Sequence, residues 1–372
     1  MATPMARTLG TTFVGSLLIS GCSDGSESPT FDPSDSDAPG FAAECSVDAD
    51  LIHFGGVARG GIPALTDPPF VPPDDPQTNY LAGEDRVIGL EVEGRALAVP
   101  HNILWWHEIV NLDLAPDKQL AVTYCPLTGS SIAFDRDVVD GAEFGVSGLL
   151  YMSNLMMHDR RAGESLWPQM MGEAACGHSE GTELEMYPVM ETTWDGWQKL
   201  HPEAEVVGAG TASAGSQYTR YPYGDYEDLD NDELLFPMDT DDRRALKERV
   251  LGVRHKDDSS SSIAFPFLEL VSEDGVRVVH EDVGGRDIVV LWDEEVGGGM
   301  AFEPRVQGQD LTFEVVDGEI LDAETGSQWR VDGRAISGDH EGERLTLVPE
   351  AYVAFWFAWA AFEPETRIWK AS

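Results

Sequence analysis

Leu120-Ala121-Val122-Thr123-Tyr124-Cys125, continuing to Ala133-Phe134, returns without a gap as Ile288-Val289-Val290-Leu291-Trp292-Asp293, continuing to Ala301-Phe302. Both copies are short runs rich in β-branched and aromatic residues, bounded by Gly, Pro and Asp, which reads as strand and turn. Around this block the echo continues. Val87-Ile88-Gly89-Leu90 matches Val250-Leu251-Gly252-Val253, and Gly172-Glu173-Ala174-Ala175-Cys176-Gly177 matches Gly333-Arg334-Ala335-Ile336-Ser337-Gly338. Trp194 and Trp197 before Pro202 match Trp356 and Trp359 before Pro364. Self-similarity at this period predicts a duplicated body. The expected fold is mainly β (α+β): two tandem related β-rich repeats, 87–208 and 250–372, with a few short helices.

Strands are expected at 86–92, 96–99, 120–124, 131–134 and 311–316. Asn102 to Val110 places Ile103, Trp106 and Val110 on one stripe, which predicts a helix. Matching helices are expected at 192–200, with Thr192 or Thr193 as cap, and at 352–362. The apolar run 355–362 is too short to cross a bilayer and reads as core.

Upstream of the body, residues 1–21 read as an export signal, with Arg7 ahead of a short apolar run. Ile19-Ser20-Gly21-Cys22 resembles a lipobox, which makes Cys22 the expected lipidation site and the cell envelope the expected location. Residues 22–45 read as a flexible tether and 46–86 as a Gly/Pro-rich collar. Segment 209–249 reads as a solvated acidic linker. Its carboxylate runs lack the spacing of a calcium loop.

Sixty-seven acidic residues against 24 basic ones give a net charge of −43. A surface of that sign repels phosphate backbones, so nucleic acid is excluded as a partner. Acid excess with only five lysines suits solubility in concentrated salt, and a halophilic source is expected.

The chemistry-bearing residues crowd into the first repeat. Pro100-His101-Asn102-Ile103-Leu104-Trp105-Trp106-His107-Glu108-Ile109-Val110-Asn111 leads into Thr123-Tyr124-Cys125-Pro126-Leu127-Thr128-Gly129. These stretches resemble the "N-W-H-E-I-V-N" and "T-Y-C-P-L-C-G" patterns of a prokaryotic family known as domain of unknown function 3179 (DUF3179). Residues 144–160 and 164–169 are similar to its "F-G-V-S-G-L-L-Y-N-S-N-L-v-M-Y-D-R" and "t-e-S-L-W-S-Q" patterns. The resemblance implies kinship and no reaction. Thr128 replaces the pattern's second cysteine, which excludes a two-cysteine pair at that loop. Met152 stands where the pattern has Asn, and His158 where it has Tyr.

Cys125 aligns with Asp293 and Cys176 with Ser337, while His107 has no histidine opposite it. A scaffold requirement is expected in both copies, so the candidate site belongs to the first. One reading is a transition-metal centre, with copper favoured by a thiolate, imidazole and thioether set: His107, Cys125, Met157 and His158, with Met152, Met156 and His178 in reserve. A second reading is thiol-dependent catalysis, with Cys125 as nucleophile, His107 as base, and Glu108 or Asp159 orienting. A third is a non-catalytic interaction module with structural cysteines, in which Cys125 pairs with Cys176 or Cys45.

Overall fold

The computed structural model describes residues 45–210 and 214–371. The export signal, Cys22 and almost all of the tether therefore lie outside the described residues. The chain is mainly β, with four α-helices of four to seven residues among the described residues.

The first half runs β1 (Ile52–Phe54), β2 (Arg86–Val92), β3 (Arg95–Pro100), α1 (His101–His107), β4 (Ile109–Ala115), β5 (Lys118–Cys125), β6 (Ser130–Asp135), β7 (Phe144–Tyr151), β8 (Asn154–Asp159), β9 (Ser165–Pro168), β10 (Met190–Thr193), α2 (Trp194–Leu200) and β11 (Glu205–Val207). The second runs β12 (Arg249–Val253), β13 (Ile263–Pro266), α3 (Phe267–Leu270), β14 (Val276–Val283), β15 (Arg286–Asp293), β16 (Gly298–Glu303), β17 (Phe313–Val316), β18 (Glu319–Asp322), β19 (Gln328–Trp329), β20 (Ala351–Phe355), α4 (Trp356–Phe362) and β21 (Arg367–Ile368).

The pairings of the two halves correspond. β2 pairs antiparallel with β3 and β10, as β12 does with β13 and β20. β11 lies parallel to β3, as β21 does to β13. In the meander β4-β5-β6, Thr123 faces Ile132; in β14-β15-β16, Leu291 faces Met300. Trp167 Nε1 donates to Asp159 at 2.9 Å, and Trp329 Nε1 donates to Asp322 at 2.9 Å. Gly89 and Gly252 each lie against a helix tryptophan. A Cβ would sit 2.4 Å from the Trp197 ring at one and 2.1 Å from the Trp359 ring at the other, so no side chain fits.

The halves interlock. The β5–β6 turn accepts from β20 of the other half, Phe355 N–H to Thr128 O at 2.8 Å, and the β15–β16 turn accepts from Thr193 N–H at Val296 O, 3.4 Å. One core combines Phe134, Phe144 and Trp167 with Phe355, Trp356 and Trp359; another combines Val87, Trp194 and Trp197 with Val289, Phe302 and Trp329. Each of these buried aromatics contributes on the order of 3 kcal/mol on the transfer scale.

Thr193 caps α2 by accepting from Gly196 N–H at 3.1 Å, in keeping with its side-chain chemistry. α1 ends three residues earlier than its apolar spacing suggests. Glu108 takes a left-handed φ of 57°, and the β-branched Ile109-Val110 pair enters β4 instead. The collar is stitched in: β1 pairs with β7, and Leu65–Thr66 runs parallel to β4.

Segment 209–249 corrects the expectation of a solvated linker. Its carboxylates mostly face water, but Tyr218 and Tyr226 are buried, and Tyr221, Tyr223, Leu234 and Phe236 pack on the core shared by both halves. It forms a tyrosine-rich strap across the first half.

Candidate functional site

Alternation along β5 sets the geometry. Tyr124 shares a core with Val122, Ile103 and Leu104 of α1, while Cys125 shares the opposite one with Ala121 and Met157. At the C-terminus of α1, His107 is fully committed. Its Nδ1 lies 2.7 Å from Pro63 O, so Nδ1 carries the proton; Nε2, 2.9 Å away, then accepts from the Tyr218 hydroxyl. Burial lowers its pKa and keeps the ring neutral. His107 is a clasp between collar and strap, with no nitrogen left for a metal or for Cys125.

Cys125 is 1% exposed and is the one free cysteine among the described residues. Its Sγ is 3.9 Å from Ser153 O, at the tip of the β7–β8 hairpin. That tip, Met152-Ser153, has two consecutive left-handed residues at φ 50° and 63°. Asn is the usual occupant of such a turn, so Met152 stands there at a conformational cost of about 1 kcal/mol. Glu108, projected by its left-handed backbone, acts on the same thiol. Burial, then the charge of Glu108, pushes the Cys125 pKa up to about 11. Burial pushes Glu108 itself, 8% exposed, up to about 8. Strap residues Tyr223 and Tyr226 complete the enclosure. The Tyr223 hydroxyl is influenced by both Glu108 and Cys125, and the Tyr226 hydroxyl donates to Leu127 O at 3.0 Å.

Beside the thiol lies a satisfied polar network. Gln169 donates to Thr123 Oγ1 at 2.8 Å and accepts from Ser130 at 2.5 Å and from Asn154 at 2.9 Å; Asn154 also donates to Thr128 at 3.0 Å. All five residues are fully buried. In the second half the corresponding positions of Thr123, Thr128, Ser130 and Gln169 are Leu291, Val296, Gly298 and Val331.

A charged network sits where the halves meet. Buried Glu191 accepts from Arg86 at 2.6 Å, Arg249 at 3.1 Å and Ser131 at 2.5 Å. Burial alone would raise its pKa, but Arg249, Arg86, His101 and Ser131 outweigh burial and hold it at about 2. His101 stacks on Tyr124 with ring centres 4.0 Å apart, and burial beside the two arginines lowers it to about 3.

The expected ligand set does not converge. Met157 is core beside Cys125, whereas His158 faces Arg59 at 3.2 Å and is lowered by burial to about 4. Among the described residues, the group with three metal-capable atoms close together is Glu91, His201 and Asp332, and it includes none of His107, Cys125 or His158. Asp159 orients no catalytic base; it is fixed by Trp167 and Arg161 and has a structural counterpart in Asp322. Cys125 is not in a disulfide either, since Cys45 is bonded to Cys176.

Sequence reading missed the strap tyrosines, Glu191 and His101. Only the four tyrosines Tyr218, Tyr221, Tyr223 and Tyr226, set in an otherwise polar and acidic segment, signalled the strap.

These features define a mainly β protein with one polar, buried centre in its first half. The chain belongs to the family described as Protein of unknown function (DUF3179), whose model matches residues 59–366. No curated protein and no solved structure matches it.

Proposed function

We propose that this is an exported, envelope-anchored protein, lipidated at Cys22, whose first half carries a thiol–carboxyl acid–base site made by Cys125 and Glu108 beneath the tyrosine strap. The observation that carries the reading is that Glu108, a buried residue with its pKa raised by burial, bears electrostatically on the free, buried thiol of Cys125. A group with a pKa near 8 can exchange protons near neutral pH. When ionised, Glu108 can take the thiol proton, the S–H electron pair staying on sulfur as a nucleophilic thiolate. The step runs uphill from about 8 to about 11, so the thiolate is a minor form at rest and forms as substrate is engaged. Thr128 tends to lower the thiol pKa and assists. The Cys45–Cys176 bond supports an oxidising, extracytoplasmic setting. We read the correspondence of strand pairings as a duplication, with the second half serving as support.

The test is alkylation of Cys125 across pH 6–10. A step in rate near pH 8 that vanishes in Glu108→Gln supports the pair. A profile unchanged by that substitution removes Glu108 as the base. Stoichiometric copper lost in Cys125→Ser would favour the metal reading instead.

A further inference from the structure

A second cluster lies far from the thiol in sequence and joins the two halves. Glu91 is the penultimate residue of β2, His201 follows α2, and Asp332 lies beyond β19. His201 Nε2 is 3.7 Å from Glu91 Oε1 and 3.9 Å from Asp332 Oδ2, and all three donor atoms lie within 4.8 Å of one another. The His201 side chain is 10% exposed, and its Nε2 is buried without a hydrogen-bond partner among the described residues. Beside the cluster is a cavity of about 30 Å³ bounded by Glu91, Asp332, Trp197 and Arg344, room enough for a single water.

We propose that Glu91, His201 and Asp332 form a site for a first-row divalent transition ion, zinc being the fitting probe, that ties the first half to the second. One imidazole nitrogen and two carboxylate oxygens, with water as fourth ligand, make a zinc-type donor set. Around zinc with bonds near 2.0 Å, tetrahedral ligands stand about 3.3 Å apart, so the two separations from His201 need to close by about half an ångström, while the carboxylate oxygens, within 4.8 Å of each other, close by at most about 1.5 Å. The imidazole disfavours calcium and magnesium, which take oxygen ligands.

The carboxylates already have partners. Arg344 holds Glu91 Oε1 at 2.7 Å, Arg334 pairs with Glu91 Oε2, and Arg330 pairs with Asp332. The ion therefore competes with guanidinium groups, chiefly Arg344, for Glu91 Oε1. Removing that competitor should tighten binding, whereas an arginine serving only the scaffold would leave it unchanged.

Chelator-treated full-length protein titrated with Zn²⁺ tests this by calorimetry and thermal melting. One ion per chain is expected, with a higher Tm, at least tenfold weaker binding in His201→Gln, and at least tenfold tighter binding in Arg344→Gln, which keeps all three ligands. Cys125→Ser should bind zinc unchanged, which separates this site from the thiol. The proposal is overturned if wild-type protein takes up no stoichiometric zinc, if His201→Gln binds equally well, or if Arg344→Gln shows no gain.

Discussion

At matched positions the two halves make opposite choices. β5 and β6 carry Thr123, Cys125, Ser130 and Ser131, where β15 and β16 carry Leu291, Asp293, Gly298 and Gly299 in identical register. Glu191 on β10 stands where β20 has Val353, yet Arg86 and Arg249 begin their equivalent strands alike. The backbone therefore does not need the polar set. An apolar version of the same core folds beside it, with Trp329 and Phe313 edge to face, 5.5 Å between ring centres, just as Trp167 meets Phe144 at 5.8 Å. Buried polar groups are costly unless fully partnered. Their concentration in one half is what a site, and not a scaffold, requires.

The largest expected effect is at Glu191. Glu191→Ala removes the buried carboxylate shared by Arg86 and Arg249, leaving Arg249 with Glu227 and Arg86 with the Gly297 carbonyl, and should cost about 3–5 kcal/mol, read as a drop in Tm. Val353→Ala, its counterpart, should cost no more than about 2 kcal/mol. Equal losses would break the contrast. Because the folded pKa of Glu191 is depressed to about 2, its contribution is present above the unfolded value near 4.5 and is lost as pH falls toward 2.

Glu108 carries the reverse sign. Its folded pKa is raised to about 8, so its contribution is most favourable below 4.5 and declines as pH rises through 8. Glu108→Gln should therefore stabilise the protein at pH 8 by about 2 kcal/mol, with little change at pH 4. Denaturant melts at the two pH values check this, and a destabilised variant at pH 8 would show that the carboxylate has a partner.

Gln169→Val imports the second half's residue and takes one buried hydrogen bond each from Thr123, Ser130 and Asn154. A loss of about 1–3 kcal/mol is expected by denaturant unfolding. Adding Thr123→Leu and Ser130→Ala should recover part of it, since an all-apolar version already works in the other half. The smallest effect concerns the surface: if the acid excess is a salt adaptation, Tm should fall gradually as salt is withdrawn.

Much of the architecture was legible. The strand at 86–92, the Thr193 cap and the core character of 355–362 follow from alternation, side-chain capping and length. The helix overrun at 108–110 arose because apolar spacing does not reveal a left-handed Glu108. The crowding of chemistry into the first half was visible by comparing the two halves. Its assembly was not: His107 faces Pro63 and Tyr218, and Glu108 rather than His107 bears on Cys125, choices set by backbone direction that no residue spacing encodes. The sequence suggested a disulfide from Cys125 to Cys176 or Cys45; the fold instead bonds Cys45 to Cys176 and leaves Cys125 free.

That bond spans 131 residues. Any pull exerted on the chain ahead of residue 45 passes through sulfur directly into residue 176 and bypasses the strands in between. An anchored molecule under tension would thus bear load across a covalent strut, leaving the hydrogen-bonded ladders around Cys125 unsheared. Reduction would reroute that force into β1, a three-residue strand at the edge of its sheet.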